Sequence, residues 1–568
     1  MVPNMSPKMY GTLENVMRFM AETGIVFPTG EIYAGKGDIA GFYTFGPMGS
    51  RLVENIKQLW RDFFIRRSKL TFEIDGSTLT PRIIWIASGH LESFWDPLVI
   101  CKKCGKIYRA DQLIEEILDI QVEGKSIEEL EEIIRANEIR CPSCGGELGK
   151  IQKYTLMFQT NSGPLREGEE PNLVLRPETA QVIFISYKRV KPIAGKHPFG
   201  VAQIGRSYRD EISPRRGLFR LREFNQMEIE FFVLREPTCV PFSETDVNEN
   251  PKKRELVESI KKQYGKVRYA PKCGTCKECP LNNAPEFDTT LRNVQLRILT
   301  RDEQINASKE GREPKEIVIR AEDAVKNKIL PNEWMAYCLA KETLFLTSLG
   351  IPKDAIRFRE MLPEETPHYS AGNFDLEIRY DFGWKEAIGN AYRTDYDLTR
   401  HMKVSGAKLY EKLEGKIYIP HVIEPSFGIE RILLGLIMYA YRKGEDRGYE
   451  WLALPPVLAP FKAAVLPLLM PRDFREKERE LALKIWHELI DKTKYFIAYD
   501  DSGNIGRRYA RQDQKGTPYC ITIDAQTFSD NTVTIRFRDT KEQKRVPIDQ
   551  LDKILTDLIE GKRSFNDL

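Results

Sequence analysis

The chain has 568 residues, of which 41% are hydrophobic and 30% charged, and its formal net charge is +3. This length is too great for a single hydrophobic core and predicts about two to four domains. The nearly balanced charge excludes a globally basic protein, so any nucleic-acid surface must be a local patch.

The sequence shows no targeting or membrane segment. No basic stretch followed by an apolar one stands near the N-terminus, and apolar runs such as 432–440 are far shorter than the roughly 18 residues that cross a bilayer. Most of the ten cysteines fall in C-x-x-C pairs, which favours metal thiolates in a reducing compartment over disulfides. We therefore expect a cytoplasmic protein with no membrane partner.

Residues 48–67 predict a long amphipathic helix that begins after Gly46 and Pro47. Its apolar stripe consists of Leu52, Ile56, Leu59, Trp60, Phe63 and Phe64. So wide a stripe is typical of packing in a core. A dimer seam is the alternative.

Two cysteine pairs bracket an acidic helical stretch at 111–137. They are Cys101 with Cys104 and Cys141 with Cys144, and they have the knuckle spacing of a four-cysteine zinc ribbon. The 36 residues between the pairs exceed the common spacing, which an inserted helix would explain. Four thiolates leave no open coordination position, so we predict a structural Zn²⁺ in an inserted module.

A charged hairpin is predicted where two strands flank the loop 212–219. Strand alternation places two sets of side chains on common faces: Arg209 with Glu211, and Arg220 with Arg222 and Phe224. Fixed cations, a carboxylate and an aromatic ring on one surface suit a polyphosphate, an amine and a purine bound together. A surface hairpin also carries such charges by chance, and for this hairpin alone the two interpretations compete.

The segment that follows the hairpin is predicted to be a second insertion. Polarity rises from about residue 236 to 332, where Cys273, Cys276 and Cys279 form a third cysteine cluster. These three thiols would bind zinc with Cys239 as a fourth ligand, but thiols without a metal explain the spacing equally well.

Arg431 is predicted to lie in the first turn of an apolar helix that follows the segment 424–430. Backbone N–H groups and the helix dipole already favour phosphate at this position. An arginine there opposes the dipole unless it serves a ligand, so we interpret Arg431 as a phosphate or nucleotide contact.

Four polar residues from separate segments suit a small ammonium group. Glu178, Glu228 and Glu424 supply carboxylates, and Ser426 supplies a hydroxyl. Any one glutamate alone is usually a solvated surface residue, so this interpretation requires that the four converge in the fold.

The Pro-rich segment 454–460 is the clearest linker, and an α/β domain of about 110 residues follows it. The pattern predicts strands at 462–469, 495–499, 519–524 and 532–538 and helices at 474–492, 505–514 and 548–560. Within that domain the helix predicted at 505–514 carries Arg507, Arg508 and Arg511 along one face or its border. Such a face is often only solvated, but here it would bind phosphates of a single-stranded RNA loop.

These segments together resemble the signature motifs of class II aminoacyl-tRNA synthetases. The helix after Gly46-Pro47 resembles motif 1, residues 208–228 resemble motif 2, and 424–431 resemble motif 3. Arg-Pro-Glu-Thr-Ala-Gln at 176–181 and Glu-Pro-Ser-Phe-Gly at 424–428 are similar to glycyl-tRNA synthetases of the archaeal and eukaryotic α2 type. The similarity extends nearly end to end.

The resemblance implies an α+β fold: a class II antiparallel sheet flanked by helices, with insertions that include the zinc ribbon, and a C-terminal α/β anticodon-binding domain. The implied parts are 1–97, 154–235 and 371–456 as the catalytic core, 98–153 as the zinc-ribbon insertion, 236–370 as the second insertion and 457–568 as the anticodon-binding domain.

The resemblance also implies a reaction: glycine is activated by ATP with Mg²⁺ and then transferred to the 3′ end of tRNA(Gly) by a homodimer. The catalytic residues would be Arg209, Glu211 and Arg431. The ATP site would comprise Arg209, Asp210, Glu211, Phe219, Arg220, Leu221, Arg222, Glu223, Phe224, Glu386, Ala387, Gly428, Ile429, Glu430 and Arg431. The glycine site would comprise Arg109, Glu178, Phe224, Asn225, Gln226, Met227, Glu228, Glu424, Pro425, Ser426, Phe427 and Gly428.

Three other hypotheses make different predictions. A non-catalytic relative that keeps the fold would have lost Arg209, Glu211 or Arg431, and all three are present. A zinc-ribbon nucleic-acid binder would bind RNA independently of glycine and ATP. A sister synthetase for another small amino acid would activate that amino acid faster than glycine.

Overall fold

The computed structural model describes residues 9–33, 40–120, 122, 125–164, 169–212, 214, 216–270, 279–363, 365–366, 370–469 and 472–568. Cys273 and Cys276 of the third cysteine cluster lie outside these ranges. No helix within the ranges is long and apolar enough to span a bilayer.

The N-terminal elements lead into and beyond a long amphipathic helix. They are α1 (Leu13–Glu22), β1 (Val26–Pro28), β2 (Tyr43–Phe45), α2 (Pro47–Arg61), β3 (Thr71–Ile74), β4 (Leu79–Pro81), α3 (Arg82–Ser88) and α4 (His90–Ser93). Helix α2 begins with Pro47 in its first turn, and a π-helical turn extends it to Arg66. Glycine is required at Gly49 because a Cβ atom there would lie 1.9 Å from the carbonyl oxygen of Ile25.

The apolar stripe of α2 packs inside the chain. Its buried members are Leu52, Ile56, Trp60 and Phe64. The rings of Trp60 and Phe64 lie against Phe427, with centroids 5.8 and 5.1 Å away. The prediction of a core-packing helix is therefore confirmed, since intramolecular contacts occupy the stripe.

The first two cysteine pairs lie in a small module with its own hydrophobic cluster. Its elements are β5 (Trp95–Ile100), β6 (Ile107–Arg109), α5 (Ala110–Leu118), α6 (Ile127–Ala136) and β7 (Gln152–Thr155). The strands pair in the antiparallel order β6-β5-β7, and Val99 and Ile114 are fully buried between them and the helices. The single acidic helix predicted at 111–137 is two helices, because Ser126 and Glu129 form a capping box that starts the second one.

The chain between residues 159 and 452 supplies most of the largest domain. First come β8 (Gln159–Thr160), β9 (Leu173–Leu175), α7 (Ala180–Ala194), β10 (Phe199–Tyr208) and β11 (Glu223–Val233). Next are β12 (Cys239–Val240), α8 (Glu244–Glu249), α9 (Pro251–Tyr264), β13 (Arg268–Tyr269), α10 (Thr289–Arg292), β14 (Gln295–Leu299), α11 (Arg301–Glu310), β15 (Ile317–Arg320), α12 (Ala321–Lys326), α13 (Glu333–Ser348) and β16 (Ile356–Glu360). Last are β17 (Asn373–Tyr380), β18 (Gly383–Thr394), α14 (Tyr396–Ser405), β19 (Glu411–Leu413), β20 (Lys416–Tyr418), β21 (His421–Gly428), α15 (Ile429–Ala440), β22 (Tyr441–Arg442) and β23 (Trp451–Leu452).

Nine of the described strands form the central sheet, in the order β15-β14-β16-β17-β18-β21-β11-β10-β3. Neighbours are antiparallel except for two parallel pairs, β3 with β10 and β14 with β16. Helices α2, α13 and α15 pack on one face, and α7 and α14 pack on the other. The predicted α+β fold is confirmed, although the sheet is mixed rather than purely antiparallel.

The predicted second insertion, 236–370, is wrong in its second half. Strands β14, β15 and β16 belong to the central sheet, and α13 packs in its core. The polar composition misled the prediction because β15 is an edge strand, with Ile317 and Val318 exposed, and the polar helix α11 has only Ala307 buried.

The C-terminal domain matches the predicted order of strands and helices. Its elements are β24 (Ala463–Pro467), α16 (Arg472–Thr493), β25 (Ile497–Tyr499), α17 (Ile505–Gln514), β26 (Tyr519–Ile523), α18 (Thr527–Asp530), β27 (Thr532–Phe537), β28 (Gln543–Pro547) and α19 (Leu551–Ile559). The sheet order is β25-β24-β26-β27-β28, parallel over the first three strands and antiparallel over the rest. Strand β28 and the short helix α18 were not predicted.

The segment 454–460, predicted to be a linker, is packed against both domains. Leu454 and Leu458 are fully buried in the main core. The side-chain amide of Asn55 donates a hydrogen bond to the carbonyl oxygen of Leu458 at 2.9 Å. From the C-terminal domain, Arg538 donates one to the carbonyl oxygen of Leu454 at 2.8 Å. The two domains are therefore docked through this segment.

A buried ion-pair cluster at Asp513 of α17 also fastens the domains together. Its carboxylate accepts hydrogen bonds from Arg536 at 2.8 and 2.9 Å within its own domain. It accepts two more, from Arg447 and Tyr449 of the segment between β22 and β23, each at 2.8 Å. A buried charge is tolerated only when it is paired in this way, so the cluster fixes how the domains meet.

We expect Asp513→Asn to destabilise the protein by about 3–5 kcal/mol, because the amide leaves the guanidinium groups of Arg447 and Arg536 without their counter-charge. Urea denaturation of the full chain measures this. Asp549→Asn, at an exposed position of the same domain, should change stability by less than about 0.5 kcal/mol. Equal stabilities of the two variants would contradict the assignment.

Candidate active site

Strands β10 and β11 form the predicted charged hairpin. Their register pairs Tyr208 with Glu223, and the amide of Arg209 donates to the carbonyl oxygen of Arg222 at 2.9 Å. The strand ends there, because the amide of Glu211 turns back to the carbonyl oxygen of Arg209 at 2.8 Å. The prediction that Arg209 and Glu211 lie on alternating strand positions is therefore wrong. Both nevertheless line one pocket.

This pocket opens between the hairpin, β18 and the start of α15. It is lined by Arg209, Glu211, Leu218, Phe219, Arg220, Leu221, Phe224, Gln226, Glu386, Ala387, Ser426, Gly428, Glu430 and Arg431. The structure thus brings together residues that the sequence assigns to ATP and glycine from three separate segments. Leu218 was not predicted, since an apolar residue in a loop carries no signal of its own.

Arg209 enters the pocket between two aromatic rings. Its guanidinium carbon lies 5.3 Å from the ring centroids of Phe94 and of Phe224. Its Nε donates a hydrogen bond to the carbonyl oxygen of Pro177 at 3.2 Å. These contacts fix the plane of the guanidinium and leave its outer edge for an anionic ligand. Phe94 was not predicted, because it lies far from the motifs in sequence.

Arg431 reaches the same pocket from the first turn of α15. Its guanidinium carbon lies 4.7 Å from the ring centroid of Phe219, and Nη1 donates to Oε2 of Glu386 at 2.8 Å. Although burial alone would raise it, the charge of Arg431 holds the pKa of Glu386 below its usual value. Both partners of this ion pair are therefore charged at neutral pH.

Three residues assigned to ATP have side chains engaged outside the pocket lining: Asp210, Arg222 and Glu223. Asp210 accepts a hydrogen bond from the hydroxyl of Tyr154 at 2.5 Å and lies 3.5 Å from Nε of Arg222. Glu223 forms an ion pair with Arg206. Strand alternation explains Glu223, which points to the face of β11 opposite the pocket.

The residues assigned to an ammonium group converge beside Gln226 and Ser426, which line the pocket at what we call its inner end. The register of β11 and β21 places Glu228 opposite Ser426, and Glu424 lies two residues earlier on the same face of β21. The side-chain amide of Gln226 joins them, since it donates to Oγ of Ser426 at 2.6 Å and to Oε1 of Glu228 at 2.9 Å.

Glu178, which precedes α7, joins this group through Arg393. Nη2 of Arg393 lies 3.8 Å from Oε1 of Glu178, and Nη1 lies 2.5 Å from Oε2 of Glu424. Nε2 of His90 approaches Glu178 at 3.4 Å. Arg393 is almost wholly buried and also pairs with Asp397 at 2.8 Å. Sequence reasoning missed Arg393, because its role depends on partners from distant segments.

The charges of these carboxyl groups differ. Burial, followed by the charges of Glu424 and Glu178, raises the pKa of Glu228. Burial also raises the pKa of Glu424. At Glu178, by contrast, the charges of His90 and Arg393 outweigh burial and hold the pKa below its usual value. An ammonium group at this end of the pocket would offset negative charge that the protein itself leaves uncompensated.

Five residues assigned to glycine or ATP face away from the pocket: Asn225, Met227, Pro425, Phe427 and Ile429. Met227, Phe427 and Ile429 are fully buried in the main core. Asn225 donates a side-chain hydrogen bond to Glu430 at 2.7 Å. Successive residues of a strand face the pocket and the core in turn. The prediction assigned consecutive residues to glycine and did not take this alternation into account.

Arg109 lies close to Glu211 and Arg220, which line the pocket. Its guanidinium pairs with Asp111 at 2.8 Å and with Asp96 at 3.2 Å. Its charge is attracted by that of Glu211 and repelled by that of Arg220. The assignment of Arg109 to glycine stays a prediction.

The sulfur atoms of Cys101, Cys104, Cys141 and Cys144 all lie within 4.8 Å of one another. The distance is 3.5 Å from Cys101 to Cys144 and 3.7 Å from Cys104 to Cys141. Zn–S bonds of about 2.3 Å in a tetrahedron give sulfur separations of about 3.8 Å, so the four thiols fit one zinc ion.

Helix α17 carries the arginines assigned to RNA: Arg507, Arg508 and Arg511. The placement predicted for Arg508 is wrong. It is buried beneath the helix and donates a hydrogen bond to the carbonyl oxygen of Gly503 at 3.0 Å. Arg511 forms a two-pronged ion pair with Asp500 at 2.9 and 2.8 Å. Arg507 is exposed.

Comparisons with known proteins agree with this fold. A family model described as an anticodon-binding domain matches residues 462–558. The chain is 38% identical to a glycine–tRNA ligase of Pyrococcus furiosus, over 97% of this chain and 99% of that protein. It is 37% identical to a glycine–tRNA ligase of Methanocaldococcus jannaschii, over 95% and 97%.

Among solved structures, one described as the RNA-binding domain of threonyl-tRNA synthetase from Cryptosporidium parvum is similar, with a TM-score of 0.50 and 16% identity. It covers 96% of this chain and 98% of that one, and this likeness concerns the fold alone. The sheet, the arginine-lined pocket and the C-terminal domain define a class II aminoacyl-tRNA synthetase. Within that class, the chain belongs to the glycine–tRNA ligase family.

We expect Arg508→Ala to destabilise the C-terminal domain by about 2–3 kcal/mol, because it leaves buried carbonyl oxygens unpaired and opens a cavity. Arg507→Ala, one residue away on the exposed side, should change stability by less than about 0.5 kcal/mol. Denaturation in urea, followed by circular dichroism, compares the two variants. Similar losses in both would show that the helix is oriented differently.

Proposed function

We propose that the protein is a glycine–tRNA ligase. It activates glycine with ATP to form glycyl-adenylate and pyrophosphate, and then transfers glycine to the 3′ end of tRNA(Gly). The observation that carries this proposal is the convergence of Arg209, Arg431 and Ser426 on one pocket, with the carboxyl groups of Glu178, Glu228 and Glu424 clustered beside Ser426.

The two ends of the pocket suit the two substrates of the first step. Arg209 and Arg431 supply the positive charge that binds the phosphates of ATP, and Phe224 supplies a ring on which adenine stacks. The carboxylates at the inner end hold the glycine ammonium group, so the glycine carboxylate faces the α-phosphate. Glu211 and Glu386, which line the pocket, are the groups we expect to bind the Mg²⁺ that accompanies ATP.

Adenylate formation then follows from positioning and charge neutralisation. A glycine carboxylate oxygen attacks the α-phosphorus in line, and pyrophosphate leaves with the electrons of the broken P–O bond. Arg209 stabilises the charge that develops on the α-phosphate oxygens. No covalent bond to the protein is required.

In the second step a hydroxyl of the 3′-terminal ribose of tRNA attacks the glycyl carbonyl carbon, and AMP leaves. The hydroxyl proton passes to a phosphate oxygen of the departing AMP, so no side chain of the pocket has to act as a base. The C-terminal domain, with Arg507 on its surface, is the part we expect to contact the anticodon arm.

Selectivity for glycine must come from exclusion, since glycine is the smallest amino acid. One methyl group changes binding by only about 1–3 kcal/mol through attraction, but a steric clash costs more. Glu228 and Glu424 approach from adjacent strands, and Ser426 faces Glu228. Their side chains crowd the place where a Cβ atom of a larger amino acid would lie.

Arg209→Ala should lower kcat/KM for glycine-dependent ATP–pyrophosphate exchange by about 10²–10³, since it removes a cation from the α-phosphate. Arg206→Ala is the matched control, because Arg206 lies three residues earlier, on β10, and pairs with Glu223 outside the pocket lining. It should retain activity within about threefold.

The same assay with alanine, serine and proline tests the substrate. Faster exchange with any of these than with glycine would refute the proposed function. Absence of glycine-dependent exchange in the wild type would also do so.

We also propose a structural zinc ion at Cys101, Cys104, Cys141 and Cys144. Metal analysis of the wild type should give about one zinc per chain from this site. Cys141→Ser should lose that zinc and unfold the module, whereas Cys520→Ser, buried in the C-terminal domain, should retain it. Equal zinc content in both variants would exclude this ligand set, and a second zinc in the wild type would assign the third cysteine cluster.

A homodimeric assembly and a cytoplasmic location complete the proposal. They are supported by the motif 1 resemblance and by cysteine pairs suited to a reducing compartment. Light scattering on the purified chain measures the assembly directly.

A further inference from the structure

One carboxyl group beneath the inner end of the pocket has no role in the steps above. Glu230 lies on β11, two residues after Glu228 and on the same face of the strand. It is fully buried. Among the described residues, neither of its carboxyl oxygens has a hydrogen-bond partner. An unpaired buried carboxylate is so unfavourable that its protonation state must be explained.

Charged groups on four elements act on Glu230. They are Glu228 on β11, Glu424 on β21, Arg393 on β18 and Asp397 on α14. One oxygen each from Glu228, Glu230 and Glu424 lies within 4.8 Å of the others. Arg393, the cation among these groups, is already paired with Asp397 and Glu424. Three adjacent anions would therefore share one guanidinium, which favours a proton on one of them.

The hydrogen bonds indicate which carboxyl group carries that proton. Glu228 accepts hydrogen bonds from the hydroxyl of Thr179 and from the amide of Gln226. Glu424 accepts a hydrogen bond from Nη1 of Arg393 at 2.5 Å. These donors oppose the burial that raises the pKa of Glu228 and of Glu424, whereas Glu230 receives no donor from the described residues. A proton on Glu230 turns it from an unsatisfied acceptor into a donor beside two carboxylates.

The electrostatics agree with this assignment. Burial, followed by repulsion from Glu424 and Glu228, raises the pKa of Glu230 well above its usual value, and the charge of Arg393 only partly opposes this. When the deepest group holds the proton, the carboxylates nearer the substrate are free to remain ionised.

We propose that Glu230 is a positioning residue held as a neutral carboxylic acid, whose hydroxyl donates a hydrogen bond within the Glu228–Glu230–Glu424 group and so keeps Glu228 and Glu424 ionised for the substrate ammonium. This inference rests on the proposed function for the identity of that ammonium group. A neutral Glu230 lowers the negative charge of the group by one and leaves the two carboxylates that contact glycine ionised.

Glu230→Leu removes the proposed hydrogen-bond donor, and Glu230→Gln keeps a neutral donor at the same position. Without the donor, Glu228 holds its own proton more strongly, so Glu230→Leu should raise the KM for glycine by at least about tenfold with little change in kcat. That loss should shrink as the pH rises, because Glu228 then ionises. Glutamine keeps a neutral donor, so it should restore KM to within about threefold of the wild type with an unchanged pH profile.

Glu342→Gln is the matched control. Burial also raises the pKa of Glu342, but it lies on α13 and accepts a hydrogen bond from Asn390 on the core side of the sheet. Its substitution removes a buried acid outside the pocket and should leave the KM for glycine and its pH profile unchanged.

Infrared difference spectra of the ligand-free protein test the protonation state without any assay of activity. At neutral pH, the wild type minus Glu230→Gln should show the C=O stretch of a protonated carboxylic acid. A carboxylate band instead would overturn the proposal even if glycine is activated. So would an unchanged KM in Glu230→Leu, or a changed pH profile in Glu230→Gln. If the leucine variant fails to fold, the glutamine variant and the spectra still decide.

Discussion

The register of β11 against β21 is the constraint on which the whole site depends. It sets Glu228 opposite Ser426 on the pocket face and Met227 opposite Phe427 on the core face. A slip of one residue would exchange these faces and move the carboxylate into the core. Packing prevents this, because Phe427 lies against Trp60 of α2 and Met227 is buried in the same core. The apolar helix behind the sheet thus fixes the polar groups in front of it.

With the register fixed, the pocket has ends of opposite charge. Arg209 and Arg431 line the outer part, while the carboxylates at the inner end share the buried guanidinium of Arg393. A zwitterion fits this arrangement in only one direction, with its ammonium group inward and its carboxylate toward the arginines. In the proposed function, this polarity therefore both binds the amino acid and aims its nucleophilic oxygen at the phosphate.

Sequence reasoning succeeded where the signal is local. Helical spacing and Pro47 predicted α2, and the strand–helix order predicted most of the C-terminal domain. It failed where a side chain is defined by distant partners. Arg508 belongs to a basic run, but the sheet beneath α17 buries it. Arg393 and Glu230 are charged residues within strands, and only the pairing of β11, β18 and β21 places them beneath the substrate pocket.

The docking of the C-terminal domain fixes the geometry for tRNA, the larger proposed substrate, as the strand register does for glycine. In the proposed function, a tRNA contacts that domain while its 3′ end enters the pocket. If residues 454–460 were a free linker, binding at one domain would leave the other to be oriented at an entropic cost. Their packing in the core, together with the pairing of Asp513 and Arg447 across the domains, sets that orientation before the RNA arrives. The two binding regions therefore act as one preorganised surface.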